Sequence, residues 1–176
     1  MTAALQVTVR PAEPGDSVLL AELGARTFHD SFAHQNDPAD MAAYLEASFA
    51  PEIQGREIAD PSWRYFIAEV AGQPVGFVLA REATPPDCVT GPAPIELARF
   101  YVDRPWHGRG IAPLLMDACI AEARRRGGKT LWLGVYEHNR RAVRFYEKAG
   151  FRDVGSHFFM LGSDRQVDRV MVRDIG

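Results

Sequence analysis

The sequence predicts an α/β protein in which helices flank a mixed β-sheet. Its 176 residues fit one domain over 1–176, because single cores commonly close at about 100–200 residues. A composition with 47% hydrophobic and 24% charged residues is typical of a packed globular chain. Along the chain, stretches with the alternating period of strands are interspersed with stretches at helical spacing, and no internal repeat interrupts them.

The amino-terminal part predicts one strand followed by two helices. Residues 5–10 alternate as a short strand, and a Pro- and Gly-containing segment ends it. A helix is predicted over 16–32. A second helix follows with Asp37 as its N-cap and Pro38 at its first position, and its apolar residues recur at helical spacing.

The rest of the chain predicts more strands than helices. Residues 63–70 and 75–80 flank a short Gly-containing turn and predict a β-hairpin, and the proline-rich residues 83–94 predict a loop. Further strands are predicted at 95–102, 130–136, near 151–160 and near 166–174, and helices are predicted before Gly127 and over 139–149.

Charge and composition exclude several function classes. A net charge of −3 and a pI near 5.9 argue against general nucleic-acid binding. The sequence has no apolar run of about 20 residues and no signal-peptide pattern, so we expect a cytoplasmic protein without a membrane span. Cys88 and Cys119 form neither a disulfide framework nor a metal-ligand spacing, so free thiols and no metal are expected.

The charges are distributed unevenly along the chain. Residues 1–55 hold two basic and eight acidic side chains, a net of −6, whereas residues 56–176 hold eighteen basic and fifteen acidic ones, a net of +3. We therefore expect the first part to favour cations and the second part to favour anions.

The segment HGRGIA, residues 107–112, follows a predicted strand and opens a helix. Its two glycines let the backbone approach a ligand, and N–H groups at a helix start suit a phosphate. A tight strand-to-helix turn that needs glycine only for steric reasons is the alternative. A dinucleotide fingerprint lacks its third glycine here, and a Walker loop lacks its Gly-Lys-Ser/Thr ending.

Asn139 and Tyr146 lie two helical turns apart, so one helix face presents an amide and a phenol. Taken separately, Asn139 also fits an N-cap and Tyr146 also fits a core aromatic residue. Cationic side chains are concentrated in the same third of the chain, and one or two of them should reach phosphates. They are Arg104, His107, Arg109, Arg124, Arg125, Arg126, Arg140, Arg141 and Arg144.

The strand, HGRGIA, the amphipathic helix and the segment NRRAVRFYEKAGF together resemble the GNAT superfamily of acyl-CoA-dependent N-acetyltransferases. The resemblance runs through nearly the whole chain and implies a mixed, mostly antiparallel sheet. About six or seven strands would be splayed at the coenzyme A site and flanked by about four helices. It implies acetyl-CoA as cofactor and no metal. Its cofactor contacts map to Phe100, Tyr101, Val102, His107, Gly108, Arg109, Gly110, Ile111, Ala112, Asn139 and Tyr146. His107 departs from the Gln or Arg of the family motif, which leaves its own role open.

A second resemblance concerns the acceptor. TFHDSF, DPADMAAYLEASF, WLGVYEHN and HFFMLGSDRQVD are similar to segments of bacterial spermidine/spermine-type acetyltransferases. This implies a polyamine or similar amine as substrate. The resemblance also implies a homodimer, as in other small members of the family. The candidate counter-charges are Asp30, Asp37, Asp40 and Glu46, whose alternative role is to cap and solvate helices.

The resemblance implies direct attack of a primary amine on acetyl-CoA in a ternary complex. Glu96 lies eleven residues before His107, as does the strand base of some family members, and is the candidate general base. A hydrogen bond to a neighbouring arginine such as Arg99 is its alternative role. Tyr146 matches the acid that meets the departing thiolate, and a backbone N–H near Tyr101 would face the thioester oxygen.

Two other functions fit the same residues. One is acetyl transfer to protein amino termini, amino acids or antibiotics instead of polyamines. The other is a non-catalytic module that senses acyl-CoA.

Overall fold

The computed structural model describes residues 5–176, in which seven strands form one mixed sheet, as predicted. The first strand includes Pro11, which the sequence placed in a break. A proline is tolerated there because this strand lies at the edge of the sheet. The strands are β1 (Val7–Pro11), β2 (Trp63–Val70), β3 (Gln73–Arg81), β4 (Pro94–Val102), β5 (Thr130–Tyr136), β6 (Arg152–Leu161) and β7 (Asp164–Asp174).

Five α-helices flank the sheet, one more than expected. The additional helix is α3, whose sequence contains Gly55 and whose one buried residue, Gln54, is polar. Its remaining sequence signal is Pro51 at the first helical position. The helices are α1 (Ser17–Phe32), α2 (Pro38–Ser48), α3 (Pro51–Ala59), α4 (Ile111–Arg125) and α5 (Arg140–Lys148).

The sheet is antiparallel except at its centre, and its order is β1-β2-β3-β4-β5-β7-β6. The two central strands, β4 and β5, pair in parallel over three residues only, from Pro94 to Glu96 on β4. Ala98 then has no partner in the register with β3, which is a β-bulge that bends β4. Beyond this point β4 and β5 separate, so the sheet is splayed as expected.

Apolar side chains cover both faces of the sheet, because neighbouring residues of a strand point to opposite sides. Val78 of β3 packs in the cluster that contains Leu115 of α4. The adjacent Phe77 packs in the other cluster, with Leu23 of α1. Within residues 5–176, no helix has the length and apolarity needed to span a bilayer.

Candidate active site

Two cavities open into the gap between β4 and β5. The first, which we call the α4 cleft, has a volume of about 330 Å³ and reaches the start of α4. The second, the β7 cavity, has a volume of about 280 Å³ and reaches β6 and β7. The residues that line both are Phe100, Tyr101, Asn139, Ala142 and Tyr146. Two ligands could therefore meet at this junction, one entering from each side.

The start of α4 has unpaired backbone N–H groups next to the α4 cleft, which is lined by His107 and Ala112 of this segment. Gly108 and Gly110 have φ angles of +73° and +81°, a conformation that only glycine adopts without strain. A Cβ atom at either position would lie in open space, so the glycines leave the approach clear. Among the described residues, no protein acceptor receives the N–H groups of 108–112. Such unpaired donors at a helix start favour an anionic ligand.

His107 holds an arginine at the mouth of the α4 cleft. Its Nε2 lies 2.6 Å from the Val102 carbonyl oxygen, and its Nδ1 lies 2.7 Å from Nη1 of Arg141. A carbonyl oxygen only accepts and a guanidinium only donates, so Nε2 carries the hydrogen and Nδ1 accepts from Arg141. His107 thereby links the end of β4 to Arg141 of α5.

Six of the nine clustered cations fall into two groups in the structure. Arg104, His107 and Arg141 line the α4 cleft. At the other end of α4, Arg124 donates to the Ile175 carbonyl oxygen, and the two arginines that follow it bind Glu122. The sequence therefore identified the positive region but did not separate the cleft residues from this distant group.

Asn139 and Tyr146 meet at the junction of the two cavities. The side-chain oxygen of Asn139 accepts the Ala142 N–H at 3.2 Å, so Asn139 is the N-cap of α5 while it also lines both cavities. The Tyr146 ring packs against Phe100 and Phe151. Burial raises the pKa of Tyr146, and the nearby Cys119 adds to this shift. The hydroxyl therefore stays protonated and can donate a hydrogen bond.

The far part of β4 has one backbone edge directed into the gap. Phe100, Tyr101 and Val102 pair with β3 on one side, whereas the pairing with β5 ends at Glu96 on the other. The backbone groups on the free edge are available to a ligand that lies alongside the strand. Phe100 and Tyr101 also line both cavities, which puts this edge next to Tyr146.

Glu96 is buried in the β7 cavity and accepts a hydrogen bond from an arginine, as the alternative reading allowed. The partner is Arg81, whose Nε lies 2.5 Å from Oε2 of Glu96. Arg99, which the sequence had suggested as the partner, binds Glu57 at 2.8 Å instead. Both arginines that line the cavity are thus already paired with a carboxylate.

The opposite wall of the β7 cavity contains a histidine and an aspartate. His157 on β6 faces Asp168 on β7 in the strand register, and His157 Nε2 lies 3.8 Å from Asp168 Oδ2. Gly134 of β5 makes room for them, because a Cβ atom there would lie 2.6 Å from His157 Nε2. His157 Nε2 is buried and has no hydrogen-bond partner among the described residues.

None of the four candidate acidic residues lines the β7 cavity. Asp37 caps α2 by accepting from two backbone N–H groups, and Asp40 accepts from the backbone and the hydroxyl of Ser163. Asp30 lines the α4 cleft instead, and Glu46 lies outside both cavities. Of the four predicted counter-charges, Asp30 alone therefore lines a cavity, and that cavity is the α4 cleft.

The cavity residues that the sequence analysis missed are Arg81, His157 and Asp168. His157 and Asp168 lie in a segment that was quoted only for its resemblance, and strand alternation alone could not show that they face each other. A cross-strand pairing between β6 and β7 was needed, and it depends on a register shift near Asp153.

The chain is similar to known proteins over most of its length. The profile of the family described as "Acetyltransferase (GNAT) family" matches residues 26–151. A relative from Lactobacillus delbrueckii subsp. lactis, called an uncharacterized N-acetyltransferase, is 32% identical over 146 residues, 83% of this chain and 84% of that protein.

Two more distant proteins are also similar. A spermine/spermidine N(1)-acetyltransferase of Bacillus subtilis is 29% identical over 80 residues, 45% of this chain and 49% of that protein. The crystal structure of PaiA N-acetyltransferase from Thermoplasma acidophilum in complex with coenzyme A superposes with a TM-score of 0.80 at 17% identity, over 97% of this chain and 99% of that one. At that identity the likeness shows the fold alone.

Proposed function

The chain belongs to the acetyltransferase (GNAT) family, and from this premise we propose that it transfers an acetyl group from acetyl-CoA to a primary amine of a small cationic acceptor such as a polyamine. The observation that carries the proposal is the junction at Tyr146, where the α4 cleft and the β7 cavity meet. Two separate ligands that meet at one protonated hydroxyl suit direct attack in a ternary complex.

The α4 cleft fits coenzyme A in charge and in shape. The unpaired N–H groups of 108–112 would bind the diphosphate, with Arg141 held beside them by His107. The free edge of β4 offers backbone donors and acceptors to the pantetheine amides, much as a neighbouring strand would. When bound, acetyl-CoA supplies an activated acetyl thioester.

The acceptor must lose a proton before it attacks. An alkyl ammonium of pKa about 10.4 is neutral in fewer than about one molecule in a thousand at pH 7. We assign the role of general base to Glu96, acting through a water molecule because Arg81 already occupies one carboxylate oxygen. Its position in the β7 cavity, beside the junction, supports this role.

Two groups of the chain would act on the thioester itself. A backbone N–H on the free edge of β4 near Tyr101 would stabilise the negative charge that develops on the thioester oxygen. The Tyr146 hydroxyl would donate a hydrogen bond to the departing thiolate, because burial keeps this phenol protonated. Full proton transfer is not required for either effect.

Calorimetry and a transfer assay test the proposal in two parts. Titration with coenzyme A should give binding to the wild-type protein, and Gly110→Val should weaken it, because valine is strained at a φ of +81° and would crowd the N–H groups. Gly72→Val is a matched control, since Gly72 has a similar φ of +77° in the β2–β3 turn outside both cavities.

The second part measures thiol release from acetyl-CoA with a panel of amines. Transfer to small diamines and polyamines is expected. Transfer only to peptide amino termini, amino acids or antibiotics would contradict the proposed acceptor class but would support the proposed acetyl-transfer reaction. Tight coenzyme binding without transfer to any member of the panel would contradict the proposal and indicate a sensor of acyl-CoA.

A further inference from the structure

Asp168 differs from every other buried acidic side chain of the described chain. Asp16, Glu96, Asp103 and Glu122 are also buried, and each accepts a hydrogen bond from at least one arginine. Asp168 is 8% exposed, and its only ion-pair neighbour among residues 5–176 is His157, at 3.8 Å. A buried carboxylate without a close cation is costly, so this position favours the arrival of one.

The charges of the β7 cavity leave that carboxylate unbalanced. Arg81 is paired with Glu96, and Arg99 is paired with Glu57. Asp168 lines the same cavity and adds a negative charge that no guanidinium offsets. An acceptor carboxylate would find both arginines occupied, whereas an acceptor cation would find Asp168.

The polar atoms around Asp168 are arranged to receive a donor. Gly134 lets the pair pack closely against β5, because a Cβ atom there would lie 2.6 Å from His157 Nε2 and 3.1 Å from Asp168 Oδ2. The buried Nε2 of His157 also lacks a hydrogen-bond partner among the described residues. Asp168 and His157 thus lie side by side in the cavity wall, with 3.8 Å between Oδ2 and Nε2, and Asp168 has no closer cation within residues 5–176.

We propose that Asp168, with His157 beside it, binds a second ammonium group of the acceptor, so that the site selects diamines and polyamines over monoamines and amino acids. The inference rests on the proposed function. The reacting nitrogen must be neutral when it attacks, so it cannot keep a salt bridge to Asp168. A second nitrogen remains protonated throughout and can hold the acceptor in place, which makes Asp168 a specificity-determining residue.

The test compares two acceptors with the same four-carbon chain, butylamine and 1,4-diaminobutane, by thiol release from acetyl-CoA. Wild-type protein should prefer the diamine, and added salt should weaken that preference. Asp168→Asn should lower kcat/KM for the diamine about ten- to a hundredfold, the size of one charge-assisted hydrogen bond, through KM and not kcat. The kcat/KM of Asp168→Asn for butylamine should stay within about threefold of the wild-type value.

Asp153→Asn is the matched control. This variant also removes one carboxylate from β6 and β7, but Asp153 binds Arg169 outside the β7 cavity. It should leave both acceptors unaffected. If Asp168→Asn does not fold, as judged by its unfolding transition, His157→Gln replaces it and should reduce the diamine preference in the same direction.

The outcomes separate this inference from the proposed function. Equal losses for both amines, or an unchanged preference for the diamine, would overturn the assignment of Asp168 and leave the acetyltransferase intact. Transfer to amino acids in preference to diamines would also overturn it. Coenzyme binding without transfer to any amine would overturn the proposed function as well.

Discussion

Replacing Tyr146 by phenylalanine should slow acetyl transfer with little effect on the fold. The Tyr146 ring packs against Phe100 and Phe151, with centroids 6.2 and 5.7 Å away, and phenylalanine keeps these contacts. The residue lines both cavities, so the variant mainly loses a hydroxyl at the junction. We expect the free energy of unfolding to change by less than about 1 kcal/mol.

The expected effect on catalysis is much larger. Burial raises the pKa of Tyr146, so the wild-type hydroxyl remains a donor over the whole range of an ordinary assay. Loss of one acid or base group typically lowers turnover by about 10²–10⁴-fold. Tyr146→Phe should therefore lower kcat by that factor.

Steady-state thiol release at saturating acetyl-CoA measures kcat, and calorimetry measures coenzyme affinity. The coenzyme affinity should stay within about threefold of the wild-type value, because the proposed phosphate contacts are made by the start of α4 and not by Tyr146. A second readout is the pH profile. Ionisation of Tyr146 should not lower the wild-type kcat below about pH 10. The raised pKa means that this phenol loses its proton only at higher pH. Turnover of Tyr146→Phe within about threefold of wild type would refute the assignment.

Three further substitutions test other parts of the structure. Asp37→Ala removes the cap of α2 and should lower the free energy of unfolding by about 1 kcal/mol in urea titrations, with no change in acceptor KM. Cys119→Ala should flatten the loss of stability between about pH 9 and 12. Burial raises the pKa of Cys119 from 9.0 to about 12, so the unfolded thiol ionises first and favours unfolding as pH rises. A similar slope in both proteins would contradict this. Gly134→Ala should displace the His157 ring and raise the KM of a diamine, while coenzyme affinity measured by calorimetry stays unchanged.

The fold was largely predictable because its signals are local. Asp37 and Pro38 mark the start of α2, and the glycines at 108 and 110 mark the turn before α4. Each of these residues acts on the backbone next to it, so its effect does not depend on contacts with distant parts of the chain. Helix α3 was not predicted because it lacks such local signals. Its contacts with α1 and β2 stabilise it instead.

The parts of the site that lie within one sequence segment were predictable. The parts that depend on contacts between paired strands were not. Of the residues predicted from the sequence, His107, Ala112, Asn139 and Tyr146 line the α4 cleft, whereas residues 108–111 do not line it. The partner of Glu96 was not found, because Arg81 reaches it across the β3–β4 register, fifteen residues away. The acid opposite His157 likewise became visible only once β6 and β7 were paired.

The charge distribution illustrates why position matters more than sum. Residues 1–55 carry a net charge of −6, which suggested an acceptor site on the first helices. In the structure, Asp16 of that region binds Arg10, Asp37 caps a helix and Asp40 holds Ser163, so these three carboxylates already have donors. Asp168 lies in the part of the chain with a net positive charge, yet it is the buried carboxylate that lacks an arginine. Attraction at long range is screened within about 10 Å in salt solution, whereas an unpaired carboxylate inside a cavity acts on a bound amine directly. Selection of the acceptor should therefore follow this single buried group and not the overall charge of the amino-terminal region.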